Sequence, residues 1–124
     1  MKKGWKISGG KYHKARKKKL YELDRQARTV KLGKEKIKKL RVIGGNEKIF
    51  LLSAEFANLL DKKTGKSKKV KIKNVLETQS NRFWARQNIL VKGAIIETEL
   101  GKARITNRPG QEGSVQAELL SEAE

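Results

Sequence analysis

Apolar positions from residue 37 onward fall in short runs of alternating or β-branched character, each bounded by turn residues. Residues 37–43 read as a strand, Gly44, Gly45 and Asn46 as a tight turn, and residues 48–52 as the returning strand. Val70, Ile72 and Val75 mark a third strand after the polar loop 61–69. Residues 89–98 are apolar around a central Gly93, where a bulge or sharp bend is expected. Leu100, Gly101 and Lys102 turn that segment into residues 103–106, and Arg108, Pro109 and Gly110 form a further turn. Residues 114–120 close the pattern, with Val115, Ala117 and Leu119 on one face. Residues 54–60 fit a helical turn or a strand equally well by periodicity. Five to seven short strands with glycine turns predict a mainly β fold, a small antiparallel β-barrel, since closure removes exposed edges.

Before residue 36 this pattern is missing. Residues 1–35 show no period and few aliphatics, so alone they bury too little surface to offset their ordering entropy. They are expected to form a basic, irregular N-terminal extension to a barrel body at 36–124. Free in solution, the extension is expected to be disordered. A short helix over residues 14–25 is compatible with the sequence once its charges are neutralised.

Charge sharpens the division. The chain of 124 residues carries 31 Lys and Arg against 13 Asp and Glu, a formal net of +18. Residues 1–48 hold 18 of the cations and 4 of the acids, whereas residues 49–124 hold 13 and 9. An excess of that size points to a polyanionic partner. A membrane partner is disfavoured, because the longest aliphatic or aromatic run is residues 49–52, against about 18 for a spanning helix. Gly4, Lys6, Ser8, Gly9 and Gly10 stand where a secretory apolar region would lie, which favours an intracellular protein. With no cysteine and His13 as the single histidine, no metal site, cofactor or disulfide is expected.

Two motifs resemble enzyme chemistry without meeting its requirements. The stretch TGKSKK at 64–69 resembles the end of a phosphate-binding loop, but the earlier glycine that such a loop needs is Leu60, so a solvated hairpin loop is expected. His13 has no second histidine or carboxylate pair for acid–base catalysis, and contact with a base or phosphate suits it better. Trp5, Tyr12 and Tyr21 interleave with Lys and Arg, an arrangement in which rings stack on bases while cations meet phosphates; packing of Trp5 and Tyr21 against the body is the competing reading. Phe83 and Trp84, flanked by Arg82 and Arg86, are expected chiefly in the core. The candidate nucleic-acid contacts are Lys3, Trp5, Lys6, Lys11, Tyr12, His13, Lys14, Arg16, Lys17, Lys18, Lys19, Arg25 and Arg28 in the extension, with Arg41 and Lys48 beside the hairpin turn.

The segments SGGKYHKARKKKLYELDRQ (8–26), RVIGGNEKIFLL (41–52) and KGAIIETELGKARITNRPGQ (92–111) together resemble the small-subunit ribosomal protein eight-e family of archaea and eukaryotes, and the resemblance runs from about Trp5 to Leu120. The chain departs from that pattern at Asp24, where a glycine is usual, and at Phe50, where a basic residue often follows the turn. It lacks the long insertion of the eukaryotic forms and so resembles the archaeal type. The resemblance implies a cytoplasmic, non-enzymatic constituent of the small ribosomal subunit. Its partners would be rRNA and neighbouring ribosomal proteins, with no small-molecule substrate. Leu20, Tyr21 and Leu23 would then anchor the end of the extension to the protein. The alternative is an architectural DNA- or RNA-binding protein outside the ribosome.

Overall fold

The computed structural model describes residues 4–13, 16–23 and 28–120. Among the described residues nine strands and one short α-helix follow in the order β1 (Val30–Leu32), β2 (Lys36–Arg41), β3 (Glu47–Ala54), β4 (Phe56–Leu60), β5 (Ser67–Glu77), α1 (Arg82–Arg86), β6 (Ile89–Leu90), β7 (Ile95–Thr98), β8 (Gly101–Ile105) and β9 (Gln116–Leu119). They form two sheets. A closed barrel runs β4-β5-β7-β8-β9, and a four-stranded sheet runs β2-β3-β1-β6.

The barrel closes where β9 returns to β4. That seam is parallel, pairing Asn58, Leu59 and Leu60 with Gln116, Ala117 and Glu118, while the other four seams are antiparallel. A five-stranded barrel has a narrow interior, and this sequence fills it with large–small pairs: Ala57 opposite Val70, Leu59 opposite Ala117, Ile96 opposite Ala103 and Ile105 opposite Ala117. All of these side chains are buried. Along β5 the inward positions are Val70, Ile72 and then Val75, which breaks strict alternation. A register shift against β7 between Ile72 and Asn74 restores the phase, so Val75 still faces inward.

The four-stranded sheet shares that core through Val30, Leu51, Ala54 and Leu90. Its strand β1 lies inside the stretch assigned to the extension, and Val30 is almost fully buried. Residues 54–60, left open by periodicity, contain the end of β3 and the whole of β4. The apolar segment 89–98 is two strands in different sheets. Gly93, at φ 81, allows the turn between them, and its N–H donates to the Ile105 carbonyl at 2.8 Å. Of TGKSKK, residues 64–66 lie in the hairpin connection and 67–69 already in β5; in the connection the Asp61 carboxylate accepts from the Lys63 N–H and the Thr64 hydroxyl, both at 2.9 Å, and Gly65 takes φ 66. These two donors hold the Asp61 carboxyl below its usual pKa.

Helix α1 begins where the Asn81 side chain accepts the Phe83 N–H at 2.9 Å. Phe83 is 60% exposed and Trp84 half-buried, so the core reading fails for Phe83: the helix is a single surface turn that rests on β5 and β6 by its other side. Past its end, Asn88 takes φ 52, the one positive φ outside glycine among the described residues. Its N–H donates to the Ala85 carbonyl at 3.0 Å, its carbonyl accepts from Leu32 at 2.9 Å, and its side-chain oxygen accepts from Val75 at 3.2 Å. One residue thus joins α1, β1 and β5.

Two stability measurements follow. Ala103→Leu should overpack the barrel and cost about 1 to 3 kcal/mol in urea unfolding, whereas an unchanged midpoint would show that the interior has room. Asn88→Ala should cost about 1 to 3 kcal/mol, from a left-handed alanine and a lost hydrogen bond, and Asn88→Gly distinctly less. Equal losses would mean that the positive φ is irrelevant.

Candidate nucleic-acid interface

The extension carries local structure of its own. Residues 5–11 form a small hairpin with a bridge between Trp5 and Lys11, closed by hydrogen bonds from Lys6 N–H to Gly10 and from Gly9 N–H to Lys6, at 2.8 and 2.9 Å. Gly9, at φ 78, makes the turn. The Lys11 ammonium sits 4.9 Å from the Trp5 ring and that of Lys6 lies 5.6 Å from Tyr12, so the interleaved aromatics and cations read from the sequence meet in space. Trp5, at 68% exposure, Tyr12 and His13 face solvent, so packing of Trp5 against the body does not occur.

Lys17, Lys18 and Lys19 are exposed and lead into a single 3₁₀ turn, Leu20–Glu22; Lys14, Ala15, Asp24 and Arg25, the ends of the segment compatible with a helix once neutralised, lie outside the described residues. Lys19 itself has extended backbone angles. Arg16 reaches forward to form a two-pronged ion pair with Glu22, at 2.7 and 2.5 Å, and the same carboxylate accepts the Lys19 N–H at 3.0 Å. The guanidinium and then this backbone N–H hold the Glu22 carboxyl below the usual carboxylate range. Leu20, Tyr21 and Leu23 are exposed, Leu20 at 76%, and do not anchor the extension to the barrel as the resemblance implied. Lys3, Lys14 and Arg25 lie outside the described residues.

On the body, the β2–β3 hairpin is a basic ribbon. Its register pairs Ile37 with Leu51, Lys39 with Ile49 and Arg41 with Glu47, which puts Lys38 and Phe50 on the opposite face. Lys34, Lys36, Lys38, Lys39, Arg41 and Lys48 are all exposed, against Glu35 and Glu47. The candidates Arg41 and Lys48 therefore belong to a longer row. The period-2 spacing of Lys36, Lys38 and Lys39, Arg41 around apolar positions was the signal that could have marked it. Phe50 is 2% exposed and the Arg28 guanidinium carbon lies 3.9 Å from its ring centre, so the ring at this position holds a cation in place.

The arrangement offers dispersed cations, exposed rings and no converging catalytic groups among the described residues. None of them forms a group of three or more His, Cys, Asp or Glu able to hold a metal, and no helix is long and apolar enough to cross a membrane. On the barrel the charge is more nearly balanced, with Lys62 paired to Glu118 at 2.9 Å and Lys71 to Glu55 at 2.7 Å.

A carboxyl titration followed by carbon NMR should find Glu22 below an ordinary glutamate, and Arg16→Gln should move it upward. Because the folded pKa is the lower one, the ion pair's contribution to this turn is present above the unfolded pKa and is lost as pH falls through the folded one. An unchanged titration in the variant would show that the pair is absent in solution.

Residues 2–120 match the family described as ribosomal protein S8e. The small ribosomal subunit protein eS8 of Methanocorpusculum labreanum is 50% identical over 115 residues, covering 93% of this chain and 92% of the relative. Those of Methanococcus aeolicus and Sulfurisphaera tokodaii are 48% and 49% identical over 118 residues, each covering 94% of this chain and 92% of the relative. A match over nearly the whole length, at about half of all positions in archaeal relatives, establishes that the chain belongs to the ribosomal protein S8e family.

Proposed function

We propose that this protein is a structural, non-catalytic constituent of the small ribosomal subunit. In this reading it binds folded rRNA with its N-terminal extension and its basic ribbon, and stabilises the RNA where phosphates crowd. The observation that carries the reading is the separation of the two kinds of surface. Five exposed cations line the β2–β3 ribbon and three more stand in a row at Lys17, Lys18 and Lys19, while on the barrel side Lys62 and Lys71 are held in ion pairs. Cations that are not satisfied within the protein are available to replace the counterions condensed on RNA.

A-form RNA keeps its major groove narrow and offers phosphates and 2′-hydroxyls across a shallow minor groove. A two-stranded ribbon with cations on both faces, and an extended chain with exposed rings, suit recognition of that shape without reading sequence. Trp5 and Tyr12, each accompanied by a lysine, are placed to stack on unpaired bases at a loop or bulge. The rRNA contacts assigned to the extension are those at Trp5, Lys6, Lys11, Tyr12, His13, Arg16 and Lys17 to Lys19, with Arg28 at its root. Arg16 is partly neutralised by Glu22, so the three lysines contribute more of the salt-dependent binding than it does. Neighbouring ribosomal proteins are the remaining partners in this reading.

The test is the binding of a small-subunit rRNA fragment across a range of salt concentrations. Replacing Lys17, Lys18 and Lys19 together by Ala should weaken binding and flatten the log–log salt slope by about 0.7 to 0.9 per lost phosphate contact. An unchanged slope would remove the row from the interface. Preferential binding to duplex DNA of the same length would favour an architectural role outside the ribosome instead.

A further inference from the structure

Where the extension enters the body, three cations from distant parts of the chain surround one cleft. Its volume is about 380 Å³; Arg28, Lys92 and Arg108 form its walls and the buried Leu90 and Pro109 its floor. No acidic residue lines it, and among the described residues none of the three cations is ion-paired. The cleft is shallow and open to solvent, as a group carried on a larger polyanion requires.

Part of its lining is held in place. Arg28 is fixed twice: its guanidinium lies against the buried Phe50 ring at 3.9 Å, and its backbone is pressed by the loop that carries Arg108. A Cβ built on Gly110 would stand 3.1 Å from the Arg28 carbonyl oxygen, a tight contact that would push the loop and the Arg28 backbone apart by a few tenths of an ångström. Hydrogen bonds from Gln111 and Glu112 N–H to the Arg108 carbonyl, at 2.9 and 3.1 Å, tie the Arg108 backbone into a turn. A guanidinium stacked on a ring keeps its N–H edge free for a tetrahedral oxyanion, and its preorganisation avoids much of the entropy that a free surface lysine loses on binding.

We propose that the cleft formed by Arg28, Lys92 and Arg108 is a preformed site for one phosphodiester group of an RNA backbone. The inference rests on the rRNA-binding reading above and adds to it an anchor point that does not depend on the lysine row. A backbone phosphate fits better than a free anion because of position. Arg28 lines the cleft at the root of the extension and its guanidinium stacks on Phe50 of β3, so an RNA backbone held by either basic element would have the cleft beside it.

The experiment titrates the full-length, nitrogen-15-labelled protein with inorganic phosphate at low ionic strength, observing the Arg Nε–H signals and the Gly110 amide. A saturating shift confined to the cleft is expected. Arg108→Gln should weaken it about tenfold or more, Lys92→Gln should weaken it as well, and Lys73→Gln on the outside of β5 should leave it unmoved. In parallel, Arg108→Gln should lower rRNA affinity severalfold and the salt slope by about one. Shifts spread over all lysines without saturation would overturn the site. Saturable phosphate binding with unchanged rRNA affinity would overturn the RNA assignment and leave a small-anion site. A wild-type protein that takes phosphate in the cleft yet fails to bind rRNA would trace the failure to the broader reading rather than to the cleft's chemistry.

Discussion

The distance of closest approach between the loop joining β8 to β9 and the edge of β3 sets the rest of the architecture. Leu51 N–H donates to the carbonyls of both Pro109 and Glu112, at 3.1 and 3.2 Å, so the loop takes the place of a further strand along that edge. Two positions without a side chain ease the contact. A Cβ on Gly113 would stand 3.0 Å from Ile49, and one on Gly110 would meet the Arg28 backbone. This loop locks the four-stranded sheet onto the barrel and lets the two share one core. With it in place, the basic ribbon, the root of the extension and the barrel hold a fixed relation, and charges far apart in sequence become neighbours.

A division of labour follows inside a small chain. The barrel supplies rigidity from apolar pairs matched large to small, and its own charges are partly paired. The ribbon and extension keep most of their cations unpaired, which is unfavourable for an isolated protein through self-repulsion and favourable beside a polyanion. The Arg16–Glu22 pair is an exception within the extension. It uses one carboxylate to fix a turn directly after the lysine row, a local constraint rather than a source of global stability for so exposed a pair.

Much of the fold was legible because it is local. The GGN turn and its flanking strands, the proline–glycine turn and the third strand all rest on neighbours within a few residues. The undecided or split segments depend on distant partners. Residues 56–60 are a strand because β5 and β9 flank them, and 89–98 divides because Gly93 passes the chain from one sheet to the other. Val30–Leu32, three residues in a basic stretch, carries no period of its own, and β3 and β6 give it its place. The parallel seam between β4 and β9 joins segments nearly sixty residues apart, and no spacing announces it. At the candidate site the basic extension was legible as composition. The cleft was not, because Arg28, Lys92 and Arg108 come together only through the loop on β3.

That parallel seam also orders events in time. During synthesis β4 meets β5 within a hairpin almost at once, but its other edge stays bare until residues 116–119 have left the ribosome that is making the chain. Between the completion of β5 at residue 77 and the arrival of β9 the barrel is therefore an open sheet with one unsatisfied ladder, the state in which β chains find the wrong neighbour. Closure demands one of the longest loops in the molecule, so it comes late and slowly compared with the hairpins. The nascent chain must remain soluble through that interval, and the dense positive charge already made at its front end provides mutual repulsion between unfinished copies.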